Sequence, residues 1–78
     1  MLFIFSDAVW LHDDVPLLER EFPEMIEGTK PMKVQFIRRS NIYYYLTVQR
    51  NFTEKQVMNK LQWLKKSMVI AASKRSDV

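Results

Sequence analysis

The chain has 78 residues and a formal charge of +3, with no cysteine and a single glycine. That length allows one domain, residues 1–78, with a small core, because a chain near this size buries only about 60–65% of its unfolded surface. The missing cysteines exclude a disulfide framework and a thiolate metal site, while 47% apolar and 27% charged residues describe a globular chain rather than a disordered one.

Charge is divided along the chain. Asp7, Asp13, Asp14, Glu19, Glu21, Glu24 and Glu27 face only Arg20 and Lys30 in the first part, whereas from Lys33 onward Glu54 and Asp77 are the only acids among ten Lys and Arg residues. Such a division suits an anionic partner, or two halves that attract each other on folding or across a dimer.

Leu2, Phe3, Ile4 and Phe5 are apolar without alternation, which predicts a short strand buried on both faces. Asp7 interrupts them well short of a signal-peptide core. No run approaches the roughly 18–20 apolar residues of a membrane span, so a soluble, cytoplasmic protein without membrane contact is expected. Ser6 and Asp7 can cap a helical turn through residues 8–11, or the strand can continue there. Asp13 and Asp14 offer capping oxygens to a helix starting near Val15, with Pro16 in its first turn. Pro23 ends or kinks that helix, and Gly28 closes the following turn in the left-handed conformation.

Residues 32–37 and 42–49 alternate in character and predict a β-hairpin. A three-residue loop, Arg39, Ser40 and Asn41, with Asn41 left-handed, gathers Val34, Phe36, Ile42, Tyr44, Leu46 and Val48 on one face. Tyr43 and Tyr45 then stand on the other face with Lys33 and Gln35. The last element is a long helix. Phe52, Thr53 and Gln56 form a capping box with a hydrophobic staple, and Val57, Leu61, Leu64, Met68 and Ala72 recur at steps of three and four as a core stripe. Trp63 and Ile70, with Asn59 and Lys66, form a second strip on the opposite side, and residues 73–78 read as a frayed tail. The fold predicted is α+β and two-layered. A small antiparallel or mixed sheet in β-α-β-β-α order carries the long C-terminal helix on one face.

His12, Asp13 and Asp14 are metal-ligating types, but consecutive residues seldom converge on one ion, and the chain has no second His or Cys. No hydroxyl has a positioned base and no glycine-rich loop is present, so a non-enzymatic protein without metal or cofactor is expected. Two surfaces remain. Tyr43 and Tyr45 beside Arg38 and Arg39 resemble in chemistry a stacking platform for single-stranded RNA or DNA, although the glycine-aromatic motif of the common RNA-recognition sheet is absent. Trp63, Ile70 and Lys66 read as an interface, since Trp is enriched at binding hot spots; cover by the chain's own N-terminal segment, by a second copy or by a foreign partner all fit it. The leading expectation is a macromolecule-binding module, a small regulator or inhibitor acting by protein–protein docking, homodimeric and with an acidic protein partner. Single-stranded nucleic acid binding is the alternative.

Overall fold

A computed structural model describes residues 8–76, with side chains through Val69. The expected strand over residues 2–5 and the cap at Ser6 and Asp7 lie outside that span. Within it the elements are α1 (Asp14–Glu21), α2 (Pro23–Glu27), α3 (Val34–Arg38), α4 (Asn41–Tyr44), a π-helical turn (Tyr45–Gln49) that continues α4, and α5 (Glu54–Ser76). Residues 8–11 belong to neither helix nor strand, and α5 continues through residues 73–76 of the segment read as a tail.

Proline and glycine punctuate the first half. Pro16 is the third residue of α1, where its missing N–H would have no intrahelical partner in any case. Pro23 forces Phe22 out of helical geometry (φ −125°, ψ 49°) and becomes the first residue of α2. Gly28, at φ 90°, ends α2; its N–H and that of Thr29 both reach the Glu24 carbonyl, at 3.0 and 2.9 Å, so the last turn keeps its acceptors satisfied.

The α+β reading is overturned: among the described residues there is no β-strand, and both arms of the expected hairpin are helical. Alternation and a helical stripe overlap in so short a window, because Ile42, Tyr45 and Leu46 also recur at three and four. Side chains then favour the helix. Ser40 accepts the Ile42 N–H at 3.1 Å as an N-cap where the hairpin loop was expected, and Asn41 is the first helical residue rather than a left-handed one. The Thr47 hydroxyl donates to the Tyr43 carbonyl at 2.8 Å, and the Arg50 N–H reaches five residues back to the Tyr45 carbonyl, the spacing of a π turn. An isolated two-stranded hairpin would also be marginal in water.

Leu18, Phe22, Met25, Ile26, Ile37, Leu46, Phe52, Val57, Leu61 and Leu64 form one core cluster. The most extensive packing is of α2 on α5. Helical geometry also reverses the expected tyrosine pattern, leaving Tyr44 61% exposed while Tyr43 and Tyr45 pack partly buried against the core. Truncating Leu46 to Ala should therefore cost about 2–5 kcal/mol in urea unfolding, and truncating Tyr44 no more than about 0.5 kcal/mol. A large loss at Tyr44 would mean that this face is covered.

Candidate docking surface

Helix α5 begins with a reciprocal cap: the Gln56 N–H donates to Thr53 Oγ1 at 3.1 Å, and the Thr53 N–H donates to Gln56 Oε1 at 2.8 Å. Phe52 and Val57, on either side of the cap, are buried in the core, the staple arrangement that fixes how the chain enters the helix. From this start Val57, Leu61 and Leu64 fall on the buried stripe, and the stripe loosens at Met68, which is 41% exposed beside Ile26 and Pro23. Trp63, well off the stripe, is 55% exposed. The ammonium of Lys60 stands 4.3 Å from the centroid of the Trp63 ring and 5.7 Å from that of Trp10. These three, with Gln56 and Asn59, line an open cleft of about 310 Å³.

Trp10 is held in place from both sides. It stacks on Phe52, centroids 4.0 Å apart and planes inclined by 21°. The carbonyl before it, of Val9, accepts from Arg50 Nη2 at 2.9 Å, and the N–H after it, of Leu11, donates to Asp14 Oδ2 at 2.7 Å. Arg50 and Asp14 are themselves joined by a fork, Nη1 to Oδ1 at 2.6 Å and Nη2 to Oδ2 at 2.9 Å. The Arg50 hydrogen bonds, assisted by the Leu11 N–H, hold the Asp14 carboxyl below the usual carboxylate range against the opposing effect of burial, and Asp14 in turn raises Arg50. Neither Asp13 nor Asp14 acts as the expected cap: Asp13 makes no capping hydrogen bond, and the carboxylate of Asp14 turns away from its own helix to Arg50 and Leu11.

The other residues singled out from the sequence separate into two groups. Tyr43, Tyr45 and Arg38 are engaged within the chain. The Tyr43 hydroxyl donates to Glu54 Oε1 at 3.0 Å, Arg38 forks the same carboxylate at 2.7 and 3.1 Å, and Tyr45 lies 5.9 Å beneath the Arg50 guanidinium. Arg38 lowers the Glu54 carboxyl below its ordinary value, and burial, aided by the Glu54 bond, raises the Tyr43 phenol. Arg39, Trp63 and Lys66 are exposed; Arg39 stands apart, near Lys30, Phe36 and Ser40, while Ile70 shares α5 with Trp63 and Lys66. Sequence reasoning missed Trp10 and Lys60 as partners of Trp63. The three-residue spacing of Lys60 and Trp63 was a usable signal, since such pairs are neighbours on a helix; nothing local marked Trp10.

His12 is exposed, and among the described residues no three His, Cys, Asp or Glu side chains converge as a metal site would need. Among them, too, no helix is long and apolar enough to cross a membrane. Comparison with known proteins gives no similarity to lean on: no family model, no curated protein and no solved structure matches the chain.

Because Asp14 has a lowered pKa in the folded state, its contribution is complete at neutral pH and is lost as pH falls through the unfolded carboxylate value, near 4, and below. Asp14→Asn should cost on the order of 3 kcal/mol at pH 7 and flatten the loss of stability as pH falls through about 4 and below, with Glu54 responsible for part of what remains. Urea unfolding across pH reads both. An unchanged acid limb would remove Asp14 as its source.

Proposed function

We propose that this chain is a non-enzymatic docking module, a small regulator or inhibitor that acts by covering a surface of a protein partner, in a cytoplasmic setting. The observation that carries the reading is Trp63, more than half exposed on the longest helix and flanked by Lys60 and Lys66. Burying a large aromatic body on association is the strongest single contribution a small surface can make, and Trp is over-represented at such centres. The cation lying on the ring does not block the site, since an exposed contact of this kind contributes only about 0.5–1 kcal/mol and yields to a better-fitting partner.

Self-association is a second reading, favoured by the charge division. Asp13, Glu19 and Glu27 are exposed on one half while the lysines of α5 are carried by the other, so two copies have complementary surfaces. The nucleic-acid alternative loses the platform on which it rested, because Tyr43 and Tyr45 are tied to Glu54 and Arg50 instead of sharing an open sheet face. Arg39, exposed near that segment, supplies charge without the tyrosine pair on which the alternative was built.

Affinity capture from lysate, with wild type beside Trp63→Ala and with and without nuclease, tests the reading. Proteins held by wild type should be lost from Trp63→Ala, survive nuclease, and leave the circular-dichroism spectrum of the variant unchanged. Sedimentation at micromolar concentration separates the second reading: a dimer that Trp63→Glu converts to monomer would place the chain's own copy on this face. Capture that ignores Trp63 would sink both, and capture abolished by nuclease would restore nucleic acid.

A further inference from the structure

We propose that the groove between Met32 and the outer flank of α5 receives an acidic, apolar-patterned segment of a partner protein, selected by Lys65 and Lys66. This rests on the docking reading and names the partner's chemistry. The groove, about 460 Å³, is lined by Met32, Gln62, Lys65, Lys66 and Val69. A thioether, valine methyls and the methylene stems of two lysines make its walls apolar, and both lysines are exposed. Val69 is 56% exposed there. At 100° per residue Gln62, Lys65, Lys66 and Val69 share a face, and Lys66 stands between Val69 and Trp63 around the helix.

Charge decides what this surface accepts. Over its whole length, Glu54–Ser76, α5 contains one acid, Glu54, and that carboxylate is already engaged by Arg38 and Tyr43. The ion pairs among the described residues are Lys30 with Glu24, Arg38 with Glu54 and Arg50 with Asp14, and none uses a lysine of α5. Glu19 and Glu27 lie on the Met68 flank, where the buried stripe of α5 loosens, and the groove opens on another. The unmet requirement is therefore carboxylates spaced between apolar side chains. A nucleic acid meets it poorly, because the described residues of the groove include no aromatic plane for a base and no guanidinium fork for a phosphate. In an acidic apolar segment, one apolar side chain enters between Met32 and Val69 while neighbouring carboxylates meet Lys65 and Lys66, which set orientation and association rate more than affinity.

Panning the immobilised full chain against a random peptide library tests this, with oligothymidine as a separate probe and fluorescence anisotropy to measure affinities. Enriched peptides should interleave Asp or Glu with Leu, Met or Phe and weaken as salt rises from about 50 to 300 mM. Their affinity should fall about tenfold or more toward Lys65→Glu/Lys66→Glu and toward Val69→Asp. All three positions are exposed, so circular dichroism should not change; Lys65→Gln/Lys66→Gln, which removes charge without reversing it, should give a smaller loss in the same direction. Peptides without acids, affinities indifferent to these substitutions, or tighter binding of oligothymidine would overturn the proposal. Peptides that require Trp63 but ignore Lys65, Lys66 and Val69 would overturn the groove alone and leave the docking reading intact, whereas a library yielding no binders would remove both.

Discussion

The ion pair of Asp14 and Arg50 is the constraint on which the arrangement of this small protein depends. Asp14 is 3% exposed, and removing two charges from water costs several kcal/mol unless the remaining hydrogen-bonding capacity is used. Here it is used. Asp14 accepts from two guanidinium nitrogens and from the Leu11 N–H, while Arg50 also donates to the Val9 carbonyl and lies 5.3 Å over the Phe52 ring. No buried side-chain polar atom among the described residues lacks a partner. A network satisfied this fully contributes geometry more than net stability: it specifies where the chain before α1 crosses the start of α5, and with it where Trp10 stands.

Arg50 reaches that position through an irregular passage of backbone. The π turn over Tyr45–Gln49 widens the helix just before Arg50, whose own N–H returns to the Tyr45 carbonyl at 3.1 Å. Asn51 then adopts φ 63°, a left-handed conformation that Asn tolerates better than most residues, and the Phe52 N–H closes on the Leu46 carbonyl at 2.9 Å. Over the four residues from Arg50 to Thr53 the chain aims a guanidinium at Asp14, buries Phe52 against Trp10 and delivers Thr53 as the cap of α5. A one-residue shift in the π turn would displace all of these together.

How much of this was legible depended on whether a residue's partner lay within a helical turn. Thr53 with Gln56, Pro23 after Phe22, Gly28 at the end of α2, and the stripe through Val57, Leu61 and Leu64 are local, and they could be read. Residues 32–49 could not. Their β-branched and aromatic side chains satisfy periods of two and of three to four at once, and the local bonds of Ser40 and Thr47 that favour the helix are joined by contacts at a distance, such as Glu54 gripping Arg38 and Tyr43 from 16 and 11 residues away. Asp14 failed for the same reason: an acid at a helix start reads as a cap, and nothing near it announces an arginine 36 residues later. Of the surface itself, Trp63 and Lys66 were visible as residues off the core stripe, whereas Trp10 acquired a role only through the Asp14 and Arg50 network.

The same network of distant contacts gives α5 its character toward solvent. Glu54 occupies the first residue of the helix, where a carboxylate is favoured by the helix dipole, and Arg38 and Tyr43 engage it there. So exposed an ion pair contributes little to stability, yet its consequence for charge is large, since beyond the first turn α5 carries cations alone. Apolar groups such as Trp63 and Val69 are tolerable toward solvent because lysine stems lie among them, and Lys60 shields Trp63 with its ammonium over the ring. In the docking proposed above, a partner that brings carboxylates would draw those ammonium groups outward and uncover the apolar surface in the same movement. On that proposal charge recognition and burial of Trp63 are linked, and a partner without acids would have to displace Lys60 with no compensating ion pair.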